Sequence, residues 1–300
     1  MSQPISVLLC TRNRPAKLHR AIGSILANSY RNFELVVVDQ SIDGESRTKV
    51  ESFRDSRLVY IPTTTVGLSR ARNIAIRAAQ WDIVAFTDDD CICDSDWLSS
   101  IVAEYERDSS AMGVLGRVVA YGEPVPGMHC PSLTEVRERR VVDAPVPQRA
   151  LGSGNNMSFR KEVFRRVGLF TESLGAGTRM KSGEDIEFVY RALRRRMKFI
   201  YAPDPLVYHD NWLSQAQYPA LARGYILGGS AVFTKFALHL DGIAFTELVR
   251  TGYCILRNRL GAGSIPKALG GFLIGCVKGV GYLLASPPKL TECTDRAERG

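Results

Sequence analysis

The chain is 300 residues long, with 45% hydrophobic and 23% charged side chains, a balance that excludes an intrinsically disordered chain and allows a sizeable core. Its net charge of +8 is unevenly placed: residues 213–290 hold eight Lys and Arg against two Asp and Glu, while residues 1–212 hold 29 against 26. The basic quarter suits anionic lipid or a phosphorylated substrate, and not nucleic acid, because glycines and aliphatics rather than interleaved aromatics accompany the charges.

In chain order, residues 5–10 form a short apolar run that ends in Thr11-Arg12-Asn13-Arg14-Pro15, a buried strand with Pro15 set for the first turn of a helix. The helix continues through Ala21, Ile22, Ile25 and Leu26. Residues 33–38 predict a second buried strand ending at Asp39, and residues 57–61 a third. Residues 68–79 predict a helix, residues 83–87 a strand ending in Asp88-Asp89-Asp90, and residues 95–106 another helix, with Asp94 or Ser95 suited to its cap. Residues 112–121 are strand-like, and the Pro- and charge-rich stretch 122–148 predicts a long loop of the kind that shapes a site. Strand character returns at 152–159, a short helix at 161–167 and an amphipathic helix at 184–196. An extended run over 199–208 ends at His209, and from Ser214 the pattern is helical with many glycines.

Strands alternating with helices predict an α/β fold: a mostly parallel central sheet with helices on both faces, followed by a helical C-terminal extension. Residues 1–212 form the expected catalytic domain and 213–300 the basic, glycine-rich extension. Ligands of such sheets bind beyond the carboxyl ends of the strands. Three apolar strands here deliver polar groups to that edge: Thr11 to Arg14, Asp39, and Asp88 to Asp90.

The seven cysteines are scattered, odd in number and without a CxxC, which fits free thiols in a reducing compartment. No zinc pattern completes Cys91 and Cys93. The N-terminus shows no basic region of a signal peptide, and no uncharged apolar run reaches the roughly 18 residues of a membrane span.

Asp88 and Asp90 are hard oxygen ligands placed to share a divalent cation with a diphosphate; an acidic turn before a helix is the plainer alternative. Asp39 suits a ribose or base, or an Asx turn with Ser41. The first strand lacks GxGxxG, which argues against NAD. Gly67-Leu68-Ser69-Arg70-Ala71-Arg72-Asn73 opens a helix with arginines that suit an anion. Ser182-Gly183-Glu184-Asp185 opens another, where acids stabilise the helix start or Asp185 serves as a general base. His209, at a strand end, completes the metal site or is structural.

In this order, Val7 through Arg14, Val36-Val37-Val38-Asp39-Gln40-Ser41, Gly67 through Asn73 and Phe86-Thr87-Asp88-Asp89-Asp90 resemble the motifs of family 2 inverting glycosyltransferases. Gly152-Ser153-Gly154-Asn155-Asn156-Met157-Ser158-Phe159-Arg160 resembles their acceptor-side segment, and Gly183-Glu184-Asp185 their catalytic-base motif. The resemblance spans residues 4–210 and implies a glycosyltransferase A-type fold with a nucleoside-diphosphate sugar donor of UDP, GDP or dTDP type. It implies Asp185, with Glu184, at the catalytic position, and Thr11, Arg14, Asp39, Arg72, Asp88 and Asp89 on the donor side. Asp90, Asp88 and His209 would hold Mg²⁺ or Mn²⁺, and Gly154, Asn155 and Asn156 would face the acceptor. Gln40 departs from the family, which more often has a second Asp there. There is no QxxRW, so the resemblance implies addition of single sugars to a glycan or glycolipid hydroxyl. Competing readings are a non-catalytic nucleotide- or carbohydrate-binding homologue and a sugar nucleotidyltransferase; Thr11–Pro15 lacks the glycine that the latter needs.

Gly271, Gly275 and Gly279 at spacing four would give one smooth helix face. This helix is expected to lie in an anionic membrane interface, on the inner face of the cell membrane with the rest of the enzyme cytoplasmic. The alternative is packing on the catalytic domain or on a second subunit.

Overall fold

A computed structural model describes residues 3–150, 152–281 and 287–290; Cys293 and the end of the glycine-rich run, 282–286, lie outside them. In chain order the elements are β1 (Ile5–Thr11), α1 (Pro15–Leu26), β2 (Phe33–Asp39), α2 (Glu45–Glu51), β3 (Leu58–Pro62), α3 (Leu68–Ala78), β4 (Ile83–Asp88), β5 (Cys91–Cys93) and α4 (Trp97–Arg107). There follow β6 (Gly113–Ala120), β7 (Met128–His129), β8 (Arg140–Val142), β9 (Met157–Arg160), α5 (Lys161–Val167), α6 (Glu184–Leu193) and β10 (Phe199–His209). The chain then runs through β11 (Leu213–Ser214), α7 (Tyr218–Ala237), α8 (Gly242–Leu256) and α9 (Ile265–Gly281).

The main sheet runs β3-β2-β1-β4-β9-β6-β10-β5, with β8 against β10. It is parallel through β3, β2, β1 and β4, and becomes mixed where β9 inserts antiparallel between β4 and β6. Every residue of β1 and β2 is buried, as a sheet covered on both faces demands. Side chains alternate between faces: Leu8, Val36 and Val38 join the core under α3, α5 and α6, while Val7, Leu9, Leu35 and Val37 join the core under α1 and α4.

The element types expected for 5–121 recur here, with two additions. Helix α2 buries only Ser46 and Val50, so no apolar period announced it. Strand β5 is a three-residue piece pairing Cys91 with His209 and Cys93 with Val207, too short for a pattern but decisive for the site. Helix α4 begins at Trp97 with Asp96 at its cap position; the Asp96 carboxylate accepts from Ser29 Oγ instead of capping. The loop expected at 122–148 carries two short strands, β7 and β8.

Helices α7 to α9 form a layer on the sheet's α6 side. Helix α9 lies on α7 through its glycines: a Cβ on Gly275 would stand 2.5 Å from the Leu227 carbonyl oxygen, and one on Gly279 2.5 Å from that of Ala231. The glycine spacing therefore serves contact within the chain. Gly270, in the same helix, has nothing within 4 Å of its Cβ position. Gly275→Val or Gly279→Val should lower stability by about 1–3 kcal/mol through forced separation of α7 and α9. Gly270→Ala should raise it by about 0.5–1 kcal/mol through helix propensity alone. Urea midpoints of the three variants check both signs.

Candidate active site

A cavity of about 770 Å³ opens at the carboxyl edge of β1 and β4. Its walls combine the β1–α1 turn, the acidic run after β4, the 131–136 segment, the turn before β9, the start of α6 and the inner side of α7.

The centre of this arrangement is Arg72, only 2% exposed. Its guanidinium donates to Glu184 Oε1 at 3.1 Å, Asp88 Oδ1 at 3.1 Å and the Gly154 carbonyl at 3.0 Å. Phe86 and Phe170 flank it as cation–π partners. Burial alone would lower its pKa, but Asp88 and Glu184 reverse that and raise it. Arg72 was read from sequence as a nucleotide contact. It lines the cavity and also ties the end of β4, the start of α6 and the loop before β9 into one wall.

Asp185 sits in the first turn of α6, half-buried, with Oδ2 accepting from the Gly154 N–H at 2.9 Å and Oδ1 from the Ile186 N–H at 2.8 Å. A Cβ on Gly154 would lie 2.7 Å from Asp185 Oδ2, so the close approach requires glycine. Its neighbour Glu184 points inward to Arg72; burial, with the Asp185 charge beside it, raises its pKa from the ordinary 4.5 to about 7.

On the opposite wall, Thr11 Oγ1 donates to Asp89 Oδ2 at 2.7 Å. Arg14 Nη1 lies 3.0 Å from both Asp89 Oδ1 and Asp90 Oδ2. Burial raises the Asp89 carboxyl to about 6 despite Arg14. Burial acts the same way on Asp90, but the His209 hydrogen bond and the charges of His209 and Arg14 outweigh it and hold the carboxyl below its usual range. His209 is placed by the β5–β10 pairing: its Nε2 lies 3.4 Å from Asp90 Oδ1, and its Nδ1 bonds the Pro131 carbonyl at 2.8 Å.

Asp90, His209 and Cys91 offer ligand atoms that all lie within 4.8 Å of one another, and Asp88 lines the same cavity. Burial holds the Cys91 thiol well above its usual pKa, so carboxylate and imidazole are the better donors. That set fits a hard or borderline divalent cation, and the Pro131 carbonyl is the kind of outer partner that fixes a ligand imidazole.

The other expected residues divide between the cavity and the core. Asp39 is buried, accepts from Tyr60 OH at 2.7 Å and closes an Asx turn with the Ser41 N–H at 2.8 Å. Gln40, not Asp39, lines the cavity. Asn156 is locked away from it, donating to the carbonyls of Arg117 and Pro205 and accepting from Trp97 Nε1. Asn155 does line the cavity, and among the described residues neither end of its amide has a hydrogen-bond partner. Sequence reasoning missed Lys181, Leu221 and Tyr225, which also line it. Tyr225 is held by Ser132 at 2.9 Å, a contact between segments 93 residues apart that no local pattern signals.

Such a site on such a sheet defines the class. The Glycosyl transferase family 2 description matches residues 6–168, more than half of the chain, and the chain belongs to that family. It is similar to a glucosyl-dolichyl phosphate glucuronosyltransferase of Haloferax volcanii, 26% identical over 184 residues that cover 57% of each chain. It is also similar to a pre-mycofactocin glycosyltransferase of Mycobacterium tuberculosis, 28% identical over 235 residues that cover 76% of this chain and 46% of that one. The chain spans about half the length of these curated relatives. Among solved structures, a mannosyltransferase from Pyrobaculum calidifontis in complex with GDP-Man and Mn²⁺ shares the fold, with a TM-score of 0.58 at 17% identity over 94% of this chain and 87% of that one. Staphylococcus aureus TarS, residues 1–349, gives 0.57 at 20% identity over 94% and 83%. The fold is glycosyltransferase A-type with a helical C-terminal region.

Two outcomes follow from the buried charges. Arg72→Met should cost about 3–5 kcal/mol, because it leaves Glu184 and Asp88 without their cation, measured by urea denaturation at neutral pH. Glu184 has a folded pKa above its unfolded one, so its contribution to stability is fully present below pH 4.5 and is lost as pH rises to about 7. Glu184→Gln should remove that downward slope between pH 4.5 and 7, and an unchanged slope would assign it to another group.

Proposed function

We propose that this protein is a divalent-metal-dependent inverting glycosyltransferase that moves one sugar from a UDP-, GDP- or dTDP-linked donor to a hydroxyl of a glycolipid or cell-envelope glycan. The observation that carries this reading is the position of Asp185. Its carboxylate, fixed by the Gly154 N–H, shares one cavity with the Asp88–Asp90 run and His209. Residues 1–212 are the proposed catalytic domain and 213–300 an extension that completes the acceptor side, with the enzyme working at the cytoplasmic face of the cell membrane. The Haloferax relative's name, which includes a dolichyl phosphate, supports a lipid-linked acceptor, and the GDP-Man and Mn²⁺ of the Pyrobaculum structure support the donor and metal class.

In this mechanism Asp185 takes the acceptor hydroxyl proton as the acceptor oxygen bonds to the anomeric carbon. The bond from that carbon to the diphosphate breaks on the opposite face, and the diphosphate leaves with the electron pair. The proton moves only as the new bond forms. The Asp185 carboxylate can take that proton while keeping the Gly154 hydrogen bond. Asp90 and His209, with Asp88, would hold the cation, which supplies charge neutralisation at the leaving diphosphate. Arg14, half exposed on its turn, would pair with the diphosphate in place of Asp89 and Asp90. Alignment of donor and acceptor does the remainder.

Calorimetric titration with UDP, GDP and dTDP, with and without Mn²⁺, tests the donor site. Binding of one nucleotide that needs the metal supports the reading and names the donor class; no binding to any of them by the folded protein would shift it to a non-catalytic homologue. Asp185→Asn should retain that nucleotide binding and lower transfer by about 10²–10⁴-fold, the range of general-base loss. Arg14→Gln should tighten Mn²⁺ binding measured without nucleotide, because a competing cation leaves Asp90, and should weaken nucleotide binding.

A further inference from the structure

The outer faces of α8 and α9 are apolar and face no other part of the described chain. Helix α8 exposes Phe245 (61%), Val249 (58%), Tyr253 (50%) and Leu256 (63%), which fall on one stripe at helical spacing. Helix α9 exposes Leu273 (55%), Ile274 (56%), Val277 (71%) and Val280 (52%). The two helices touch each other and both pack on α7, so the stripes belong to one layer. Exposed apolar stripes on two touching helices mark an interaction surface.

The charges at this layer say what covers it. Arg257, Arg259, Lys267 and Lys278 are exposed, and none of them forms an ion pair among the described residues. The acids of α8 and its cap are consumed: Asp241 accepts from the Ala244 N–H and Tyr190 OH and faces Arg194, while Glu247, 3% exposed, pairs with Arg250. Among the described residues, a second copy docked through the same face would set cations against cations with no free acid to meet them. No described helix is long and apolar enough to cross a membrane. Exposed aliphatics rimmed by cations that have no ion pair among the described residues are the physical signature of a layer lying flat in an anionic lipid interface.

We infer that the joint outer face of α8 and α9 is a docking surface for an anionic lipid bilayer. The glycine face of α9 is not that surface, since it is spent on α7. Helix α7 connects the docking layer to the chemistry: it takes α9 on one side and sends Tyr218, Leu221 and Tyr225 into the cavity on another. A lipid-anchored acceptor would therefore meet the cavity across a single helix from the bilayer. That last point rests on the glycosyl-transfer reading; the lipid contact does not.

The test is flotation of the full chain with vesicles of phosphatidylcholine alone and of phosphatidylcholine mixed with phosphatidylglycerol. The protein should float with the mixed vesicles and much less with the neutral ones, and added salt should weaken the binding. The double variant Phe245→Ser/Val277→Ser changes only exposed side chains, so it should keep the wild-type circular dichroism and nucleotide affinity while losing tenfold or more in vesicle partitioning. Lys267→Ser and Lys278→Ser should each lower partitioning to the anionic vesicles about fivefold. Wild-type protein that ignores both vesicle types, or variants that partition like wild type, would overturn the assignment. So would a dimer by light scattering that the double variant dissolves, which would give the face to a second copy. Because flotation needs neither donor nor turnover, its failure leaves the glycosyl-transfer reading intact, and loss of nucleotide binding leaves the lipid surface intact.

Discussion

A buried guanidinium organises this site. Arg72 stands between two carboxylates and a backbone carbonyl, from three separate parts of the chain, with aromatic rings closing it off from water. A cation so desolvated is tolerable only when its donors are matched. The match dictates where β4 ends, where α6 begins and how the turn before β9 approaches. Asp185 then has little freedom: it follows Glu184 in the first turn of α6, and Gly154, whose carbonyl Arg72 holds, donates its own N–H to Asp185. One strut thereby fixes the proposed base relative to the acidic run.

The second constraint is the pairing of β5 with β10. It sets Cys91 opposite His209 and so brings an imidazole from late in the chain to Asp90. Here acid and base are arranged as counter-charges: Arg14 and His209 hold Asp90 below its usual range, while burial drives Asp89 and Glu184 toward the neutral form. Neighbouring carboxylates with such different proton affinities are the kind of pattern that functional sites show.

Of the C-terminal helices, α7 closes the cavity and α8 and α9 carry the proposed lipid surface. Their glycines allow α9 to touch the α7 backbone, and this contact turns the aliphatic side of α9 outward. The cavity wall and the proposed docking layer are thus two sides of one helical assembly.

The strands, the parallel half of the sheet and the acidic edge were legible in the sequence because fully buried strands read as unbroken apolar runs and because polar residues crowd their ends. Family membership followed from six motifs in order. The glycines at spacing four marked a smooth face on α9 in the sequence, but only the tertiary structure showed that α7 covers it. What the sequence by itself left undecided was the partner of each polar group. Read along the chain, Arg72 and Asp39 offer only a charge; tertiary structure alone shows that Arg72 ties Glu184 to Asp88 at the cavity wall and that Asp39 meets Tyr60 and Ser41. Likewise Asn155 and Asn156 are adjacent in sequence, and only the fold sends one to the cavity and the other into the core beside Trp97. The physical reason is the same in each case: hydrogen bonds and ion pairs between distant segments depend on which surfaces the packed sheet brings within about 3 Å, and no local periodicity encodes that distance.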